Sequence, residues 1–336
     1  MNSTKRIFYY DLLRAIAIIM VILVHVDGII GYGFDSLKHA IPGLLTATTW
    51  PAVPIFLMLS GALLLNRSYT LSEFFKKRFA RILYPFIFWV LVTGLIGFFS
   101  FGWSGKETLK VIFGLTSPFW YIWMLIGIYL FIPIINSFLK EYGLRGFEFF
   151  LLVWAVTIFI ITVKIPLLDG INLDYFAGYM GFVVLGYYLD NKQFGLSDRS
   201  MFYAGFLLLI LSTVFRMYVF RYELGLYSDY NLLFTTIAQS VGLFLAVKYL
   251  DKISVDTDNI YSKIKNNIFG KAILSISICS YGMYLVHYII IEGFEFLNIH
   301  SLKLLPIILI ITVLTSWAIV FVLSKIPYLR KISGAN

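Results

Sequence analysis

Residues 9–25 read YYDLLRAIAIIMVILVH, a run of aliphatic side chains that also contains an aspartate, an arginine and a histidine. A helix needs about 20 residues to cross the hydrocarbon core of a bilayer, and this run approaches that length. Charged groups at membrane depth cost at least ~2.5 kcal/mol each on insertion scales, so they generally face a cavity or the interior of a helix bundle. The stretch therefore predicts a membrane helix with one polar face turned away from lipid.

The composition extends this prediction to the whole chain. Its 336 residues are 60% hydrophobic and only 13% charged, and the mean hydropathy is +0.86. Soluble domains carry about 25% charged residues. Similar apolar runs recur from one end to the other, without a long polar stretch between them. We expect an all-α polytopic membrane protein in which residues 1–336 form a single integral membrane domain, with no separate soluble domain and no cleaved signal peptide.

The apolar runs and the basic residues between them predict a topology of about ten membrane helices with both termini in the cytoplasm. With the N-terminus inside, nineteen Lys and Arg residues fall in inner segments and seven, including Arg216, in outer ones. The positive-inside rule favours this orientation, and it explains the net charge of +9 without a nucleic-acid partner. The single cysteine, Cys279, excludes an intramolecular disulfide. The predicted spans lie at about 7–27, 42–66, 82–101, 118–139, 148–165, 174–189, 199–218, 230–250, 272–296 and 303–324.

The ionisable residues of the first span share one face of the predicted helix. Arg14 and His25 are eleven residues apart, which is three turns plus about 20°, and roughly 16 Å along the axis. Asp11 joins this face three residues before Arg14. The face is a candidate site wall. Alternatively, Asp11 and Arg14 only pair with each other near the cytoplasmic end, while His25 lies at the opposite interface.

Six motifs in order resemble those of the acyltransferase-3 family of polytopic membrane acyltransferases. The resemblance covers most of residues 7–331. The motifs are DLLRAIAIIMVILVH at 11–25, VPIFLMLSGALLL at 53–65, FFKKRFARILYP at 74–85, FWYIWMLIGIYLFIPII at 119–135, GYMGFVVLGYYL at 178–189 and SYGMYLVH at 280–287.

The resemblance implies that His25 is the residue essential for acyl transfer. Transfer to a hydroxyl requires removal of its proton, and the ordinary pKa of histidine suits this task near neutrality. Arg14 would orient the donor or stabilise a developing oxyanion, and Asp11 would hold Arg14 in place. For Asp11, an acid favoured by the dipole at a helix start is an equally good interpretation.

The family also has an arginine pair where Arg78 and Arg81 lie, at the cytoplasmic entrance of a span. These residues are expected to bind the phosphates of acyl-CoA, although a basic stretch of this kind also serves as a topology signal and contacts lipid headgroups. We expect the pantetheine arm of the donor to pass between helices, beyond Arg14, and to present its thioester near His25.

Four further residues are weaker candidates for binding the substrate. His287 lies about fifteen residues into its span, at a depth similar to that of His25, and would assist proton transfer or bind the acceptor. Trp120 and Tyr121 would stack on sugars, or belong to an interfacial aromatic belt. Glu292 would bind sugar hydroxyls.

Taken together, the resemblance implies a multi-pass O-acyltransferase in the cytoplasmic membrane of a prokaryote. It would move an acyl group, most simply acetyl from acetyl-CoA, to a hydroxyl of a cell-surface polysaccharide or a lipid-linked sugar. No metal and no nucleic acid are expected. A polytopic transporter or exporter of a polysaccharide or its precursor is the alternative, with Arg14, His25 and His287 lining its path.

Overall fold

The computed structural model describes residues 6–29, 40–163, 178–222, 234–255, 260–299 and 301–335. Helices account for nearly all of these residues, and no strand occurs among them. The helices are α1 (Phe8–Ile29), α2 (Ala40–Thr49), α3 (Ala52–Leu64), α4 (Leu71–Ser100), α5 (Gly105–Ile112), α6 (Trp120–Val163), α7 (Met180–Asn191), α8 (Asp198–Arg221), α9 (Phe234–Val255), α10 (Ile260–Asn266), α11 (Ile268–Phe296), α12 (Leu305–Lys325) and α13 (Arg330–Ser333), with a 3₁₀ turn at Leu302–Leu304.

Seven stretches of described helix are long and apolar enough to cross a membrane, which confirms a multi-pass all-helical protein. They contain eight of the ten predicted spans, because the stretch Trp120–Ile160 is 41 residues long and includes two of them. Gly143, with φ 60°, interrupts the helical backbone of α6 between these two spans. The other two predicted spans fall on α7 and α9, which do not reach the required length and hydropathy among the described residues.

Helix α4 begins at a reciprocal cap that fixes the position of the basic residues. The Thr70 hydroxyl accepts a hydrogen bond from the Glu73 backbone N–H at 3.3 Å, and the Glu73 carboxylate accepts one from the Thr70 N–H at 3.4 Å. Such a capping box satisfies two N–H groups that a helix start otherwise leaves unpaired. It places Arg78 and Arg81 in the second and third turns of α4.

The chain divides into two compact units, each built from segments that are distant in sequence. Unit 1 contains Met1–Met20, Phe34–Asn66 and Ile135–Ser277, and unit 2 contains Val21–Gly33, Arg67–Ile134 and Ile278–Asn336. Helices α1, α6 and α11 therefore contribute residues to both units.

Glycines bring the helices of unit 1 into close contact. A Cβ at Gly61 of α3 would overlap the Val183 backbone of α7, and one at Gly186 of α7 would overlap the Met58 backbone of α3. Small residues allow this approach of backbones in membrane helices. Gly61 and Gly186 therefore permit the close packing of α3 on α7.

Candidate functional site

Two histidines meet in unit 2. His25, on α1, and His287, on α11, have ring centroids 5.1 Å apart. The His287 Nε2 atom lies 3.4 Å from the His25 Nδ1 atom. The structure thus brings together the first-span histidine and the weaker candidate that the sequence placed at a similar depth.

Backbone carbonyls determine which ring nitrogen carries the proton in each histidine. His25 Nδ1 lies 2.7 Å from the Val21 carbonyl oxygen, and His287 Nδ1 lies 2.6 Å from that of Tyr284. Because a carbonyl oxygen only accepts hydrogen bonds, both neutral rings carry their proton on Nδ1. Each Nε2 atom is therefore a lone-pair acceptor, and that of His287 points toward the Nδ1–H of His25.

The two histidines differ in exposure. His287 is fully buried, with 0% of its surface accessible, whereas His25 is partly exposed. Of the two histidines, His25 is therefore the one that a substrate could reach more easily.

Tyrosines of α11 hold this helix against the rest of unit 2. The Tyr284 hydroxyl donates to the Pro118 carbonyl oxygen at 2.5 Å, and the Tyr281 hydroxyl donates to that of Ile82 at 2.8 Å. Tyr121 packs edge-to-face against Tyr284, with ring centroids 5.4 Å apart. Tyr121 is thereby part of the packing around the histidine pair.

Trp120 and Glu292 lie outside this cluster. The Trp120 side chain is 37% exposed, and its described ring contact is with Tyr121. Glu292 interacts with Tyr288, one turn earlier on α11, and Tyr288 packs edge-to-face on Phe119. The described contacts join neither residue to the histidines directly.

Two residues that precede α4 interact with its basic stretch. Arg78 is half-buried and Arg81 is exposed. Arg67 and Tyr69 are close enough to Arg78 to interact with it electrostatically. The Tyr69 hydroxyl is buried without a hydrogen-bond partner, and burial raises the pKa of this phenol. Neither Arg67 nor Tyr69 could be singled out from the sequence, because the loop before α4 has no recognisable spacing.

Asp11 lies in unit 1 within a network of four side chains. Its carboxylate accepts two hydrogen bonds from Arg6, both at 2.7 Å, and one from the Ser277 hydroxyl at 2.6 Å. Arg14 Nη1 lies 3.3 Å from the Ser277 hydroxyl and 3.9 Å from Asp11. The hydrogen bond to Asp11 raises the pKa of Arg6. Asp11 is thus bound more closely to Arg6 than to Arg14, and neither Arg6 nor Ser277 stood out in the sequence.

Arg216, which was counted among the outer charges and lies at the end of the predicted span 199–218, is part of α8 in unit 1. None of its surface is accessible. This burial did not follow from the sequence, because a predicted span does not show which helices pack around its residues. Among the described residues, no three His, Cys, Asp or Glu side chains cluster as metal ligands would.

The sequence matches a known protein family. Residues 7–323 match the family model of acyltransferase 3, whose description is an acyltransferase domain. No curated protein and no solved structure matches the chain.

Proposed function

We propose that this chain acylates carbohydrate hydroxyls. The premise is that it belongs to the acyltransferase 3 family and is therefore a membrane acyltransferase. The donor is a cytoplasmic acyl-CoA, acetyl-CoA in the simplest case. The acceptor is a hydroxyl of a cell-surface polysaccharide or a lipid-linked sugar, at the cytoplasmic membrane of a prokaryote.

The observation that carries this proposal is the position of both histidine Nδ1 atoms against backbone carbonyl oxygens. Because the Val21 carbonyl holds the His25 proton on Nδ1, the Nε2 lone pair is available as a general base. It accepts the proton of the acceptor hydroxyl as that oxygen attacks the thioester carbonyl. When the tetrahedral intermediate collapses, the carbon–sulfur bond breaks, and the departing CoA thiolate takes the proton from His25.

His287 supports His25 rather than reacting itself. Positive charge develops on the His25 ring as Nε2 accepts the proton, and this charge strengthens the Nδ1–H donor. The His287 Nε2 acceptor, 3.4 Å away, stabilises the charged ring. Since the Tyr284 carbonyl fixes the His287 proton on the opposite nitrogen, the pair does not compete for one proton.

The arginine cluster of unit 2 fits the donor. Arg67, Arg78 and Arg81 supply fixed cations for the CoA phosphates. The Tyr69 hydroxyl, which has no partner in the structure, is a further donor for a phosphate oxygen. Its raised pKa keeps this phenol protonated, and hence a donor, across the neutral range. Arg14 and Asp11 are proposed to act in the same reaction, Arg14 as a cation for the donor or the oxyanion and Asp11 as its support.

The test uses purified wild-type protein in detergent, supplied with acetyl-CoA and with envelope glycans as acceptors. We expect free CoA to accumulate only when a suitable glycan is present, and the glycan to gain the mass of one acetyl group. Replacing acetyl-CoA by succinyl-CoA tests the identity of the acyl group. If folded protein released no CoA with any donor and glycan, the proposed reaction would be wrong. In sealed vesicles, accumulation of an unmodified glycan would then indicate transport.

A further inference from the structure

Arg216 is a buried cation whose hydrogen-bonding capacity is only partly used. Its Nη2 atom donates to the Thr235 hydroxyl at 2.8 Å and to the Thr236 hydroxyl. The guanidinium carbon lies 4.6 Å from the centroid of the Trp50 ring. The Nε and Nη1 atoms have no hydrogen-bond partner, although none of the residue's surface is accessible.

The partners of Arg216 in unit 1 are neutral. Thr235 and Thr236, which accept its two hydrogen bonds, lie on α9. No carboxylate of the described residues pairs with the guanidinium, and the Trp50 ring compensates its charge only in part. Burying a charge without a counter-charge costs free energy, so a bound anion would stabilise the guanidinium.

A second buried polar atom lies in the same cluster of helices. Gln239 Nε2 donates to the Ala47 carbonyl oxygen and to the Thr213 hydroxyl, both at 2.8 Å. These two acceptors fix the orientation of the amide, and its Oε1 atom is buried without a partner. Thr213 lies three residues before Arg216 on α8, and Gln239 three residues after Thr236 on α9, so these side chains are neighbours on their helices. The cluster thus offers donors for an anion and one acceptor for a hydroxyl.

We propose that Arg216 binds an oxyanion of the acceptor, a carboxylate or a phosphate, through its unpaired Nε and Nη1 atoms, while Gln239 accepts a hydrogen bond from a neighbouring hydroxyl. The statement that the oxyanion belongs to the acceptor rests on the proposed function. The binding site itself rests on the buried, partly unpaired guanidinium. An acidic sugar supplies a carboxylate beside hydroxyls, and a lipid carrier supplies a phosphate beside the first sugar.

The experiment measures thermal unfolding of the purified protein in detergent, without acyl donor, as each probe is titrated. Two pairs of probes differ only in the anion: glucuronate against glucose, and a short-chain polyprenyl phosphate against the matching polyprenol. We expect one anionic probe to raise Tm in the wild type while its neutral counterpart does not. The pair that responds identifies the source of the oxyanion.

Two substitutions on α8 form a matched comparison. In R216M, we expect the affinity for the responding probe to fall by at least about tenfold, because a charged partner is removed from a buried site. The R216M protein without probe should unfold at the wild-type Tm or above, since an unpaired buried charge is replaced by an apolar side chain of similar length. The control is R199M, because Arg199 is exposed near the start of the same helix. It should keep the wild-type response.

Several results would overturn the oxyanion site. They are an equal response to both members of each probe pair, a wild-type response in R216M, or a large fall in Tm in R216M without any response of the wild type. The last result would make Arg216 a structural residue. His25→Ala should keep the full response to the probe, because that residue belongs to the other unit. Absence of CoA release from a protein that binds the anion would therefore refute the proposed reaction and leave this site standing.

Discussion

Helix α1 carries two polar groupings that are built in opposite ways. Near its start, Asp11 accepts three hydrogen bonds from Arg6 and Ser277, so this charge is fully compensated by side chains. Near its end, the His25 Nδ1–H is directed to a backbone carbonyl, and the opposite ring nitrogen is left as an acceptor. Polar residues in one membrane helix thus differ in which of their hydrogen-bonding atoms are left without a partner. These atoms indicate where chemistry can occur.

The largest effect is expected from removing the His25 acceptor alone. In His25→Asn, the amide N–H can still donate to the Val21 carbonyl, but the Nε2 lone pair is lost. General-base catalysis contributes about 10²–10⁴-fold, so kcat/KM for CoA release should fall by about that factor. The control is Tm, which should change little. A variant that kept more than a tenth of wild-type activity would show that the His25 Nε2 lone pair is not the general base.

A smaller effect is expected at His287. In His287→Asn, the donor to the Tyr284 carbonyl is kept and the acceptor facing His25 is removed. A hydrogen bond to a charged group is worth about 1.5–3 kcal/mol, which corresponds to about 10–100-fold in kcat. Steady-state kinetics should show this loss in kcat with KM unchanged. A change confined to KM would instead place the residue in acceptor binding.

At the start of α1, the expected effect is on stability. Asp11→Asn removes the charge that Arg6 and Ser277 compensate, and should lower the free energy of unfolding by about 1–3 kcal/mol. Arg14→Gln should cost less stability, because Arg14 has the longer contacts, 3.3 Å to Ser277 and 3.9 Å to Asp11. Thermal unfolding of both variants, beside their CoA release, checks this order. Equal Tm values for the two variants would contradict it.

The smallest effect is expected at Tyr284. Tyr284→Phe removes the hydrogen bond to the Pro118 carbonyl and keeps the ring that packs beside Tyr121. Removing one neutral hydrogen bond costs about 0.5–1.5 kcal/mol. Tm should fall accordingly, and kcat should remain within a few-fold of wild type. A loss of activity as large as that of His287→Asn would show that this hydroxyl helps to orient the histidine pair.

Much of this fold follows from hydropathy alone. Eight of the ten predicted spans recur in long apolar helices, and the polar residues at 140–147 mark the interruption of α6 at Gly143. Helix α7 has only twelve described residues, which are too few for a span, and α9 contains several polar residues that are buried among other helices. Lys248 of α9, for example, is 4% exposed and donates to the Leu189 and Asp190 carbonyls at the end of α7.

The site was only partly predictable. Helical rise gave His25 and His287 similar depths, but depth does not determine which helices are neighbours, and their contact needed the structure. The partners of Asp11 could not be derived, because Ser277 is 266 residues away along the chain. The burial of Arg216 could not be derived either, because the predicted span 199–218 does not show which helices surround its end. Whether each candidate acts in catalysis stays a prediction.

The contact between α3 and α7 has a consequence for the membrane that contains this enzyme. Gly61 and Gly186 bring the two backbones together so closely that even a methyl group would not fit. Water does not fit into such a close contact. The backbone groups there are already hydrogen-bonded within their helices, so they cannot transfer ions. At these two glycines, the contact between α3 and α7 therefore leaves no room for a path along which protons or ions could cross the membrane.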